Sequence, residues 1–317
     1  VTQLPLFVII ALVGMAITFG FGVERAPHLN AALAFILGLA ATTLTALLLL
    51  IVGIPYTAVT LGVALLPIVA LGVRAAARRG TTKRELAIAG TWLVGFAAVA
   101  ALLCRENLAI MTFDSHKYVM LGLIIGRDHA MVGDTIVDLA KMGVFQTVVQ
   151  SMHSFTLQDF LYAEPVVFGV SFVGVFIATG LHAARLLEAR PGRGRVTVVL
   201  LAVALFTIYM SVRHIVYIHT NFASGAYLFA YVTLFWFAEL TEDPSPLPVA
   251  FLALAAFTFQ RIEAPAFTLI FLVFTVVPSR LPRAKLTPGI LAVLGGAVVW
   301  YQVLARHVPS GKFLTPQ

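Results

Sequence analysis

Ten stretches of this chain contain no Asp, Glu, Lys or Arg at all: residues 4–22, 31–53, 56–73, 86–104, 166–184, 196–212, 222–238, 247–259, 265–278 and 288–305. Crossing the hydrocarbon of a bilayer takes about 20 apolar residues of α-helix, and only helices and closed barrels satisfy their backbone groups there. The pattern therefore predicts an all-α, polytopic transmembrane bundle of about ten spans, a single unit over residues 1–317. Charged residues make up 11% of the chain, against about 25% in a soluble domain, which excludes an ordinary water-soluble enzyme. The runs 247–259 and 265–278 are short and read as a re-entrant pair or as helices with little tilt. The first run lacks a basic flank and a small-residue cleavage site, so it reads as a span or a truncated start rather than a signal peptide.

The net charge of +7 resembles a nucleic-acid signal until its placement is considered. Arg74, Arg78, Arg79, Lys83 and Arg84 form one cluster, Arg185, Arg190, Arg193 and Arg195 a second, and Arg280, Arg283 and Lys285 a third. Alternating spans put all three, with Arg25, on one face, which the retention of positive loops makes cytoplasmic. That face holds thirteen basic residues against six acids and accounts for the whole surplus; the opposite, outer face is balanced. The expectation is an inner-membrane, multi-pass protein with the bilayer as its surroundings and no nucleic-acid partner. A lone cysteine, Cys104, provides no disulfide framework and reads as packing.

Between Arg105 and Glu164 lies one large outer loop, far longer than a usual connection. Its apolar stretches, Tyr118 to Gly126 and Met131 to Gln150, read as amphipathic helices at the headgroup level. In the second, Asp134, Asp138 and Lys141 share a helical face; they form a solvated face, or an i, i+4 carboxylate pair for a divalent cation. Thr112 to Tyr118 places Asp114, His116 and Lys117 within four positions just after a span. Such a carboxylate either pairs locally with Lys117 or serves as a general base. Three other outer segments carry polar groups: Arg213 to Asn221, with Arg213 and Tyr217 four apart on one helical face; Gln260 to Glu263; and Arg306 with His307. Arg261 and Glu263 can simply pair, and any single Arg near a helix end can snorkel. Four such segments ringed by apolar helices predict an outward-facing cavity that grips a phosphate at headgroup depth.

Other chemistries find little support. No Cys pair and no His or carboxylate cluster has zinc spacing, so no zinc site is expected; no cofactor is assigned, and a divalent cation stays possible. His214 and His219 fall on different helical faces, and His182 reads as a headgroup or capping residue. Neither a phosphate-cradling Gly-rich loop nor a nucleophile elbow is present. The apolar runs lack ionisable residues at mid-depth, which disfavours an ion-coupled carrier.

Three fragments resemble the GT-C superfamily of polytopic glycosyltransferases, which take a sugar from a polyprenyl-phosphate donor on the outer face of the membrane. Phe113 to Gly122 is similar to the acidic motif opening that family's large outer loop; His219 to Tyr227 resembles a polar turn at the start of a later span; Arg261 to Pro265 resembles an Arg-x-Glu turn. Four of the runs precede Asp114 where the family generally has one span, three leading helices more, and the usual acidic pair is reduced to Asp114 followed by Ser115. The resemblance implies an inverting transfer to a glycan or protein acceptor. Asp114 would be the general base, with Glu263 as second choice, and Lys117, Arg213 and Arg261 would hold the leaving phosphate. His116, Tyr118, Tyr217, His219 and Asn221 would orient sugar or donor. Two other readings stay open: an outer-face polysaccharide polymerase or ligase, and a non-enzymatic flippase, channel or scaffold subunit.

Overall fold

The computed structural model describes residues 3–104, 113–131, 143–158, 160–186 and 220–307, and all regular structure among them is helical. The helices are α1 (Leu4–Phe21), α2 (Pro27–Ile51), α3 (Ala58–Arg78), α4 (Lys83–Cys104), α5 (Phe113–Asp128), α6 (Phe145–Ser151), α7 (Glu164–Leu186), α8 (Thr220–Thr241), α9 (Leu247–Thr258), α10 (Ala264–Val276) and α11 (Arg283–His307); a 3₁₀ turn, Met152–Phe155, follows α6. Seven of them, α1 to α4, α7, α8 and α11, are long and apolar enough to cross a membrane, and α9 and α10 are shorter apolar helices. The expected run 196–212 lies outside the described residues.

The bundle is built around α2. Its sequence is apolar on every side, which suits a helix enclosed by others rather than one with a wet face, and 83% of its span is buried. It packs against α1, α3, α4, α6, α7 and α9. Small residues make this possible. Gly14 of α1 faces the Ala34 carbonyl of α2, Gly38 faces the Ile10 carbonyl of α1, and a methyl group at either glycine would overlap backbone. Close backbone approach of this kind is how helices associate where no hydrophobic driving force separates them from their solvent. Gly20 and Gly72 bring α1 against α3 in the same way.

The periphery has the opposite character. Only 17% of the α3 span and 11% of the α4 span are buried, and Val59, Val63, Leu66, Val94 and Leu102 stand exposed. Apolar surface on this scale is stable against hydrocarbon and not against water. At the start of α3, Thr57 Oγ1 accepts from the Thr60 N–H while Thr60 Oγ1 accepts from the Thr57 N–H, so two end donors are satisfied without a charge.

Contacts between loops sort the described helix ends into two sets. At the basic end Arg79 donates to the Gly22 carbonyl at 2.9 Å, and Glu239 accepts from Ser279 and from the Arg280 N–H. At the opposite end Gln3 donates to the Phe160 carbonyl at 2.7 Å, Tyr56 N–H to His129 at 3.2 Å, and Phe145 N–H to Phe259 at 3.1 Å. The described members of all three basic clusters thus share one end.

The short pair α9 and α10 shapes the opposite end. Helices of 12 and 13 residues rise about 18 to 20 Å at 1.5 Å per residue, less than the roughly 30 Å of a hydrocarbon core. Both run from the basic end, so the turn between them stops short of the far rim. There Tyr301 of α11 donates to the Ile262 carbonyl at 3.1 Å, although α11 continues to His307. The segment leading into α6 dips to meet this turn: Gly143, at φ 88°, lies against the Gln260 carbonyl, where no side chain has room. As a result α6 is not the expected headgroup helix. All seven of its residues are buried, because a segment closing over a recessed turn has protein on every side. Residues 132–142, with Asp134, Asp138 and Lys141, lie outside the described residues.

Candidate functional site

Asn221, in the first turn of α8, and Arg261 and Glu263, in the turn between α9 and α10, meet at the end opposite the basic clusters. Arg261 Nε lies 2.7 Å from Glu263 Oε1, and Arg261 Nη1 donates to Asn221 Oδ1. The local cause is the recessed turn, which projects consecutive polar residues from a tight corner toward the first turn of α8. The Arg261 and Glu263 side chains are 43% and 44% exposed, and an ion pair so open to solvent contributes at most about 1 kcal/mol. Its consequence is orientation. A guanidinium has five N–H donors; two are engaged here, and among the described residues the others have no hydrogen-bond partner.

The remaining sequence candidates divide clearly. His116 and Lys117 are exposed on α5, while Tyr118 is buried and packs with Phe160, which makes its ring a packing element. Asp114 lies in the first turn of α5, but its side chain is outside the described residues, as are Arg213, Tyr217 and His219. Helix α5 reaches the Arg261 corner through α6: Gly122 lies against Gln150, and Phe145 is bonded to Phe259. The structure therefore joins Asn221, Arg261 and Glu263 directly and places His116 and Lys117 on a separate element of the same end. Near the far end of α5, Arg127 lies 2.6 Å from Asp128, and that hydrogen bond holds the Asp128 carboxyl below its ordinary range. Among the described residues no group of three or more His, Cys, Asp or Glu is arranged to hold a metal.

A buried polar layer beneath this end was missed by the sequence reading. Gln146 Nε2 donates to Glu164 Oε2 at 3.0 Å, and Gln150 Oε1 accepts from the Leu161 N–H at 3.1 Å. Glu164 is buried beside Gln146 near the Phe145, Tyr227 and Phe168 rings, whose centroids lie 5.4 and 5.5 Å apart. Tyr56, its ring tilted against Phe155, has its phenol pushed well above the ordinary value by burial. The available signal was the absence of any charged residue from Met142 to Gln158, with Gln146 and Gln150 one helical turn apart.

Gln260 is fully buried, and among the described residues neither polar atom of its amide has a hydrogen-bond partner. An unpaired buried amide costs roughly 1 to 3 kcal/mol. Replacing Gln260 with Leu should therefore stabilise the protein by about 1 kcal/mol in denaturant titrations of detergent-solubilised material. A loss of stability instead would show that the amide is bonded in the working protein.

No family model, curated protein or solved structure matches this chain.

Proposed function

We propose that the chain is a membrane glycosyltransferase that moves a sugar from a polyprenyl-phosphate donor to a glycan or protein acceptor at the end opposite its basic clusters, which the positive-inside pattern makes the outer face of the inner membrane. The observation that carries this reading is Arg261, oriented by Asn221 and Glu263 in the recessed turn at that end of an apolar bundle, with N–H donors that have no partner among the described residues. A lipid-linked phosphate needs that combination: hydrocarbon for its chain and a fixed cationic fork for its oxygens.

In the proposed reaction the acceptor oxygen attacks the anomeric carbon as the bond from that carbon to the phosphate oxygen breaks, inverting the centre. Asp114 receives the acceptor proton, and the phosphate leaves with the bonding pair, its charge held by Lys117, Arg213 and Arg261. His116, Tyr217, His219 and Asn221 serve the sugar and donor. Glu263 is already engaged by Arg261 at 2.7 Å, which fits it to hold the guanidinium and leaves the base to Asp114.

The test is donor binding. In proteoliposomes Arg261→Ala should weaken binding of a polyprenyl-phosphate sugar about tenfold, the equivalent of one charge-assisted contact of roughly 1.4 kcal/mol. Equal binding by the variant would remove the transferase proposal and favour a subunit whose outer loop only docks a partner. Transfer of preassembled glycan blocks rather than single sugars would identify the polymerase or ligase reading instead.

A further inference from the structure

A second cluster of ionisable groups sits at the basic end, far from the Arg261 corner. His28 is the second residue of α2, and His182 and Arg185 lie in the last turns of α7. Helices α2 and α7 pack against each other, and both pack against α4; because α2 begins at this end and α7 finishes there, His28 and Arg185 share this corner, while the His182 ring packs on Phe237. Arg185 is exposed and close enough to act electrostatically on both imidazoles. Both histidines are partly exposed.

Trp92 of α4 sets the chemistry of His28. Its indole Nε1 lies 2.6 Å from His28 Nδ1. An indole N–H only donates, so Nδ1 must accept and the ring hydrogen sits on Nε2. His28 therefore offers one N–H donor in a fixed direction. Among the described residues no carboxylate pairs with Arg185: Glu85 is held by Thr82, Glu239 by Ser279 and Arg280, and Asp243 by Ser245. Among the described residues the cluster presents donors and positive charge with no acid paired to them.

We propose that this junction of α2, α4 and α7 binds an anionic phosphate, supplied by a phospholipid headgroup of the leaflet at the basic end. Arg185 and the His28 Nε2–H address the phosphate oxygens, and Trp92 holds the imidazole in the donating tautomer. The lipid source follows from the neighbouring surface. Helix α4 leaves most of its length uncovered, and Val99, two helical turns beyond Trp92 on the same face, is 46% exposed, so acyl chains lying along that face would carry their headgroup to His28 and Arg185. This site is independent of the transferase reading, since it lies at the other end of the bundle.

The experiment uses the full chain in nanodiscs of phosphatidylcholine containing a minor fraction of phosphatidylglycerol, with retained lipids counted by native mass spectrometry. The wild-type protein should retain phosphatidylglycerol over phosphatidylcholine, and Arg185→Gln should reduce that preference about fivefold, as expected for one basic residue near the surface. Arg84→Gln, the same change of charge at the same end outside the cluster, should leave the preference intact. Equal losses in the two variants would overturn the site in favour of a diffuse surface charge, as would no preference in the wild type. Displacement of phosphatidylglycerol by millimolar inorganic phosphate would overturn the lipid source, and resistance to it would support that source. If Arg185→Gln does not fold, His28→Gln tests the same contact and should show the same loss.

Discussion

Gly38→Ala is expected to cost about 3 kcal/mol of stability, at the upper end of the range for overpacking a tight interior. The added methyl group would overlap the Ile10 carbonyl of α1 and crowd the Gly14 nitrogen. Neither atom can turn aside, because the Ile10 carbonyl and the Gly14 N–H are partners in the same i to i−4 bond of α1. Relief requires moving α1 as a body, and α1 also carries α3 through Gly20 and Gly72. Unfolding in mixed detergent micelles measures the effect. Gly62→Ala and Gly95→Ala are the comparison, since a methyl group at either meets nothing within 4 Å; these should be neutral or stabilising by up to about 1 kcal/mol through the helix preference of alanine. If all three variants unfolded alike, the α1–α2 crossing would not be where the helices are locked.

Asp114→Asn should slow turnover of a radiolabelled polyprenyl-phosphate sugar by about 10²- to 10⁴-fold, the usual contribution of a general base, or roughly 3 to 5 kcal/mol of barrier. Size and polarity are kept, so donor affinity should change little; the loss should appear in kcat. The pH profile supplies a second readout. A carboxylate base acts only when ionised, so wild-type kcat should fall as acid protonates Asp114, and the Asn variant should lack that acid limb. The two proposed roles are separable: Arg261→Ala acts on binding, Asp114→Asn on the chemical step. Normal turnover with Asn at 114 would dismiss the base while leaving the phosphate grip of Arg261 open to its own test.

Much of the bundle was readable because charge-free runs answer to a simple rule: backbone in hydrocarbon must be helical. The runs at 31–53 and 56–73 became α2 and α3, and the sign pattern of the loops matched the ends that meet in space. The pairing of Arg261 with Glu263 was also legible, being two residues apart in a turn. Helix α6 was not. An uncharged stretch containing Gln146 and Gln150 looks interfacial by composition, and its burial depends on the recess left by α9 and α10, which no local pattern records. Glu164 was read as the end of a loop, yet a glutamine eighteen residues earlier in the chain holds it inside the protein.

The chain's own pattern of apolar runs and basic loops thus determined that it is helical, that it suits a bilayer and which loops share an end, because those properties follow from the solvation of each segment by itself. Only the tertiary structure decided that α2 is the central helix, that Asn221 meets Arg261, and that Trp92 meets His28. Such pairings arise from the approach of segments distant in sequence, and their energies come from surfaces that exist only once the helices have packed.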